Sequence, residues 1–141
     1  MSLPPRLRQI SEVFRGSPKE FRIEALLDYS RRLPPLPPDL ANHRDQLEEV
    51  RECQTPFFLA TRLEDGAVRV FFDAPAESPT VRGYAGILAA GLDGETREAI
   101  LTVDNDFYLD MGLDEVVTPM RLRGMGAILF RLKRQVEALA A

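Results

Sequence analysis

The chain has 141 residues, 45% of them hydrophobic, and a formal net charge of −4. That length predicts a single domain over residues 1–141, and the acidic balance disfavours nucleic acid as a partner. The single cysteine, Cys53, and the single histidine, His43, exclude an intrachain disulfide and a four-ligand zinc or iron–sulfur site, so we expect no metal and no bound cofactor.

Two helices are predicted at the start of the chain, followed by an extended connector. Pro4 and Pro5 open the first helix and Gly16 ends it, because proline suits a first helical turn and glycine a helix end. Residues 17–20 have the pattern of a capping box for the second helix, which runs to about Arg32. Four prolines within residues 33–38 then forbid a helix.

A β-hairpin is predicted in the middle of the chain. The side-chain period switches to two from Pro56 onward, and Asp65-Gly66 has the composition of a tight turn. The preceding stretch, 39–53, is polar and shows no clear period. Within it, Glu48 and Glu49 are interpreted as a solvated helix end.

Helical spacing returns after the hairpin. One helix is predicted from Val81 to Gly91, two short ones near 95–101 and 106–111, and a last one from about Met120. The last helix has apolar residues at i, i+3, i+4 and i+7, which indicates a stripe that faces the core. Strands in one block with helices on both sides of it in the chain indicate an α+β fold, with a small antiparallel sheet packed against helices.

Neither a membrane span nor a secretory signal is expected. No apolar run approaches the ~20 residues that a spanning helix needs, and the first six residues lack an apolar stretch. The expected location is therefore cytoplasmic, where a free thiol stays reduced.

Charge is distributed unevenly along the chain. Residues 1–32 carry seven basic and four acidic groups, residues 33–115 carry six and seventeen, and residues 116–141 carry five and one. Such a bipolar surface can orient a protein partner, and ordinary solvated helix faces would give the same pattern.

Cys53 is the candidate for chemistry. It lies in the polar segment Val50-Arg-Glu-Cys-Gln-Thr, just before the hairpin, and loops carry functional residues more often than cores do. A buried structural cysteine is the alternative. A lone functional thiol can accept a sulfur atom and pass it on, by chemistry equivalent to thiol–disulfide exchange. Phe57 and Phe58 are predicted to line a pocket that would shield such a persulfide.

Two other constellations are weaker. Asp104-Asn-Asp106 begins like a calcium-binding loop, but Tyr108 and Leu109 stand where such a loop needs an oxygen ligand and a glycine. A nucleophilic cysteine–histidine pair would need His43 beside Cys53, whereas the polar neighbours of His43 indicate a surface residue.

Five short motifs follow one another along the chain: Leu33-Pro-Pro-Leu, Val50-Arg-Glu-Cys-Gln-Thr, Val81-Arg-Gly83, Gly112-Leu113 and Thr118-Pro-Met-Arg-Leu-Arg-Gly124. In this order, and with the hairpin between the second and third, the chain from Leu7 to Leu139 resembles the SufE family of sulfur acceptors. The Cys-Gln-Thr element before a strand and the Pro-x-Arg-x-x-Gly element at the last helix are together the most specific.

The resemblance implies a fold and a function. The fold would be α+β, with a small curved antiparallel sheet and helices. The chain would take persulfide sulfur from a pyridoxal-phosphate-dependent cysteine desulfurase, stimulate that enzyme, and pass the sulfur to an iron–sulfur scaffold complex. By the same resemblance Cys53 is the acceptor thiol, Arg121 docks the partner or supports the thiolate, and Gln54 is the glutamine beside the cysteine.

The chain departs from the family next to the thiol. Glu52 stands where the family usually has glycine, and Thr55 where serine is common. A carboxylate beside a thiol disfavours the charged form, so Glu52 is expected to raise the pKa of Cys53. The competing interpretation of the whole chain is a non-catalytic protein-interaction module in which Cys53 is structural.

Overall fold

The computed structural model describes residues 3–139, which form six α-helices and one three-stranded antiparallel sheet. The helices are α1 (Pro5–Arg15), α2 (Lys19–Arg32), α3 (Pro38–Ala41), α4 (Pro79–Leu92), α5 (Arg97–Leu101) and α6 (Pro119–Ala138). The strands are β1 (Glu48–Glu49), β2 (Phe58–Glu64) and β3 (Ala67–Asp73). Single turns of 3-10 helix lie at Arg44–Gln46, Phe107–Leu109 and Leu113–Glu115. The predicted α+β fold is confirmed, and no helix in this part of the chain is long and apolar enough to cross a membrane.

The first helix begins at Pro5, with Pro4 as the residue before it, so the two prolines open it as predicted. The capping box predicted at residues 17–20 is wrong. α2 starts behind Pro18 with no side-chain cap. The Ser17 hydroxyl donates instead to the carbonyl of Val13, at 2.6 Å. Ser17 therefore closes α1 rather than opening α2.

The sheet is a hairpin with a short third strand. β2 and β3 pair along their whole length, and both residues of the Asp65-Gly66 turn have positive φ, which is the backbone that a tight hairpin turn needs. β1 pairs with the start of β2. Its two residues, Glu48 and Glu49, thus lie in a strand, so the predicted solvated helix end is wrong.

The main core lies between one face of the sheet and the helices. Alternate residues of β3 point into it, and α4 contributes more buried residues than any other helix. A smaller apolar cluster covers the opposite face of the sheet; its buried members are Leu40, Leu47 and Ala60. The sheet is therefore covered on both faces, with its helices concentrated on one.

Two glycines bring α4 close to α2. A Cβ at Gly83 would overlap the carbonyl oxygen of Leu26, and a Cβ at Gly86 would overlap that of Tyr29. No side chain fits between the two backbones at these points. The glycine of the Val81-Arg-Gly83 motif therefore serves helix packing, and the packing fixes the position of the first turn of α4.

Candidate functional site

Cys53 lies in the segment that joins β1 to β2, residues 50–57, here called the thiol loop. The loop closes at its base, where the Val50 amide donates to the Phe57 carbonyl at 2.8 Å. It turns back on itself where the Cys53 amide donates to the Val50 carbonyl at 3.2 Å. The thiol is half-buried, and its Sγ lies 3.9 Å from the carbonyl oxygen of Gly124 in α6.

The motif at residues 118–124 builds the start of α6 against this loop. The Thr118 side chain caps the helix by accepting a hydrogen bond from the Arg121 amide at 3.4 Å. A Cβ at Gly124 would lie 3.2 Å from the Sγ of Cys53, a tighter separation than ordinary carbon contacts. The glycine therefore allows the thiol to rest directly on the helix backbone.

The thiol opens on a small pocket of about 50 Å³. Four of the residues singled out in the sequence meet there. The complete lining is Cys53, Gln54, Thr55, Ser78, Val81, Met120, Arg121 and Gly124. A space of this size holds a few water-sized atoms, since one water needs roughly 10–15 Å³. It is far smaller than the roughly 300 Å³ or more of a typical cofactor pocket.

The prediction that Phe57 and Phe58 line this pocket is wrong. Phe57 is buried in the main core, and Phe58 packs against the small cluster on the other face of the sheet. Successive side chains of an extended chain point to opposite faces, so the two rings cannot share one cavity. Val81 and Met120 supply the apolar part of the wall instead.

Glu52 turns away from the pocket and towards α6. Arg131 donates from Nε to Oε1 of Glu52 at 3.0 Å and from Nη2 to Oε2 at 3.3 Å. Its Nη1 donates to Oε2 of Glu48 at 2.8 Å. The hydrogen bonds from Arg131 lower the pKa of Glu52 below its ordinary value. No motif in the sequence pointed to Arg131, because one arginine on a helix has no local signature.

The surroundings of Cys53 disfavour its thiolate. Burial raises the pKa of the thiol from 9.0 to about 11; the Glu52 carboxylate raises it as well, and the Arg131 guanidinium opposes them. The expected direction of the effect of Glu52 is confirmed. Because the thiolate is the nucleophile, these surroundings lower the reactivity of the resting thiol at neutral pH.

Two polar residues line the pocket beside the thiol. Arg121 is exposed, and its guanidinium donates from Nη1 to the neutral hydroxyl of Thr80 at 3.1 Å. The Thr55 hydroxyl oxygen is buried and has no hydrogen-bond partner within residues 3–139. The lining thus brings a guanidinium and a residue with an unpartnered hydroxyl close to the thiol.

His43 lies apart from this site. Its exposed ring places Nδ1 2.9 Å from the carbonyl oxygen of Asp39, and His43 is absent from the lining of the thiol pocket. Among the residues the structure describes, no group of three or more His, Cys, Asp or Glu side chains could hold a metal ion. The aspartates near residue 104 are therefore not gathered into such a group.

These features define a class of protein: an α+β domain with one half-buried loop thiol beside a small pocket that contains an arginine. The chain belongs to the SufE family. Residues 8–136 match the family described as "SufE: Fe-S metabolism associated domain". The predicted family is confirmed.

Similar proteins extend the comparison over nearly the whole chain. An uncharacterized SufE-like protein of Mycobacterium tuberculosis is 44% identical over 137 residues, covering 96% of this chain and 94% of that protein. The solution structure of a hypothetical protein from Thermus thermophilus is 48% identical, with a TM-score of 0.87 and 96% of both chains covered. A Plasmodium vivax protein named cysteine desulfuration protein SufE is 27% identical, covering 93% of this chain and 52% of that protein. The family description and such named members support a sulfur-transfer role in iron–sulfur metabolism.

Proposed function

We propose that the chain accepts sulfur on Cys53 from the persulfide of a pyridoxal-phosphate-dependent cysteine desulfurase. It stimulates that enzyme and passes the sulfur to an iron–sulfur scaffold complex. The observation that carries the proposal is the pocket of about 50 Å³ that the single thiol shares with Thr55 and Arg121. A carrier of one sulfur atom needs one thiol, and the sequence has no second cysteine that could divert the persulfide into an internal disulfide.

The transfer step balances without an external oxidant or reductant. The Cys53 thiolate attacks the outer sulfur of the donor persulfide, and a new S–S bond forms as the donor S–S bond breaks. The donor cysteine leaves as a thiolate, which can take the proton that Cys53 gave up. The product is a Cys53 persulfide, whose added atom is small enough for the pocket.

Ionisation of Cys53 has to precede this attack. At rest the raised pKa keeps the thiol protonated, so a change in its surroundings is required. The Arg121 guanidinium supplies a cation, and the Thr55 hydroxyl a donor, for a thiolate or persulfide anion in the pocket. Docking of the desulfurase would provide that change by moving the thiol loop. Gln54 and Glu52 flank the thiol and set its position on the loop.

A non-catalytic interaction module is the second candidate, favoured by the surroundings of the thiol. Cys53 packs against the main core and its pKa is raised, as for an inert structural cysteine. In that case the partner would be recognised by the uneven charge of the surface, and the thiol would take no part in binding.

Mass spectrometry of the intact chain after incubation with a cysteine desulfurase and cysteine separates the two candidates. The wild type is expected to gain about 32 Da for each sulfur atom, as a persulfide cap does. Cys53→Ser is expected to gain nothing, to lose stimulation of the desulfurase, and to keep its circular dichroism spectrum. His43→Ala is the matched control that keeps the adduct. A wild type without adduct overturns the acceptor role, and unfolding of Cys53→Ser favours the interaction module.

A further inference from the structure

Arg131 joins both ends of one segment to α6. It bonds Glu48, in the strand before the thiol loop, and both carboxylate oxygens of Glu52, next to the thiol. Its side chain is 20% exposed, against 33% for Glu48 and 48% for Glu52, so the pair with Glu48 is partly sheltered and the pair with Glu52 is half open to solvent. Because the guanidinium fork matches a carboxylate, such a contact fixes orientation as well as distance.

Glu48 is also anchored independently of Arg131. Gln135 donates from Nε2 to Oε1 of Glu48 at 2.8 Å, and the Thr61 hydroxyl donates to Oε1 of Gln135 at 2.9 Å. The start of the thiol loop is therefore tied to both α6 and β2. For Glu52, Arg131 is the only residue of another element that bonds to its carboxylate within residues 3–139. Glu52 is thus the end of the segment that can be released.

The other polar contacts between the tip of the loop and α6 are weak. Arg51 and Gln54 are exposed. The contact between the Sγ of Cys53 and the Gly124 carbonyl is long, at 3.9 Å, and a thiol is a weak donor. The two hydrogen bonds between Arg131 and Glu52 are therefore the strongest polar link between the tip of the loop and α6.

We propose that Arg131 is a positioning residue that clamps the thiol loop against α6 through Glu52, and that release of Glu52 frees Cys53 to meet its sulfur donor. The inference rests on the proposed function only for the nature of that donor. Since the clamp is a pair of opposite charges, it weakens as salt rises. A docking protein that supplies a carboxylate to Arg131 would release it in the same way.

Alkylation of Cys53 by iodoacetamide, an uncharged reagent, measures release without any partner protein. Arg131→Lys keeps the charge but loses the fork, and Glu52→Gln removes the charged acceptor. Rates are compared per thiolate, from the pH–rate profile of each variant, because removing the Glu52 carboxylate also lowers the pKa of the thiol. Each variant is then expected to react up to about fivefold faster than the wild type, as loss of a half-exposed ion pair allows. The double variant is expected to react no faster than the faster single variant, because both substitutions break one contact. Raising sodium chloride from about 0.05 M to about 1 M should speed the wild type and leave Glu52→Gln, which has no ion pair to screen, unchanged.

Arg134→Gln is the matched control. It removes a positive charge from the same helix, but the Arg134 side chain lies over the ring of Phe130 and not against the thiol loop. It is expected to react at the wild-type rate. The clamp is overturned if Arg131→Lys reacts like the wild type, if Arg134→Gln is equally fast, or if salt leaves the wild type unchanged. Should Arg131→Lys fail to fold by circular dichroism, Glu52→Gln and the salt series decide. If the wild type gains the sulfur adduct but the substitutions and salt do not change alkylation as expected, the clamp alone is overturned. If alkylation changes as expected but the wild type gains no adduct, the acceptor role alone is overturned.

Discussion

Replacing Gly124 with alanine would place a methyl group between α6 and the thiol. The new Cβ would lie 3.2 Å from the Sγ and 3.7 Å from the Cα of Cys53, so the thiol loop would have to move by a few tenths of an ångström. Overpacking of this kind costs about 1–3 kcal/mol, whereas alanine gains about 1 kcal/mol over glycine inside a helix. The free energy of unfolding is therefore expected to fall by about 1 kcal/mol.

Gly126→Ala provides a matched control on the same helix. Its Cβ would lie 3.7 Å from the carbonyl oxygen of Asn105 and 3.9 Å from the ring of Tyr108, which are ordinary contact distances. Only the gain in helix propensity remains, so the free energy of unfolding should rise by about 1 kcal/mol. The difference between the two variants isolates the cost of crowding the thiol.

Urea denaturation gives the free energies of unfolding, and alkylation by iodoacetamide gives the exposure of the thiol. Gly124→Ala is expected to be alkylated faster than the wild type, because a displaced loop opens the pocket, and Gly126→Ala at the wild-type rate. Equal unfolding free energies and equal alkylation rates in the two variants would refute the reasoning. They would mean that the thiol does not rest on the backbone of α6.

The remaining predictions concern the charge of the thiol, a buried hydroxyl and the pocket arginine. Since folding raises the pKa of Cys53 from 9.0 to about 11, the neutral thiol contributes fully to stability below pH 9 and less as pH rises towards 11. Cys53→Ala should remove that part of the alkaline decline in urea midpoints, and parallel wild-type and variant curves over this range would contradict it. The Tyr84 hydroxyl is buried without a partner among the described residues, so Tyr84→Phe should raise the unfolding free energy by up to about 1 kcal/mol. A loss of that size would instead reveal a bonded hydroxyl. Arg121→Gln should weaken stimulation of a desulfurase with little change in melting temperature, because within residues 3–139 the exposed guanidinium donates only to the Thr80 hydroxyl. Normal stimulation would remove Arg121 from the site.

Those parts of the fold that have local signals could be predicted from the sequence. The Asp65-Gly66 turn needs positive φ at both residues. Side chains alternate between the two faces on either side of that turn, so the sequence indicates a single register for the hairpin. Glu48 and Glu49 failed as a prediction for the opposite reason. Two residues carry no period, and they form a strand because β2 lies beside them. Ser17 could cap either neighbouring helix, and the choice depended on the carbonyl of Val13.

The candidate site could be predicted only in part. Cys53, Gln54, Thr55 and Arg121 followed from motifs, and they line one pocket. Arg131 could not be found this way, because Glu52 and Arg131 are 79 residues apart in the sequence and meet only once α6 has packed beside the thiol loop. The single domain over residues 1–141, the roles of the site residues and the identity of the partners stay predictions.

The contacts of Gly83 and Gly86 with α2 provide a criterion for sorting related sequences. At both positions an added Cβ would meet backbone atoms, so no change of rotamer could relieve the overlap and the two helices would have to separate. The same helix carries Val81, part of the wall that faces Cys53. A sequence that keeps the cysteine motif but has bulky residues at both glycine positions would therefore present a different cavity to its thiol. For such a sequence, the spacing of α2 and α4 should be examined before a role of its cysteine is inferred from this chain.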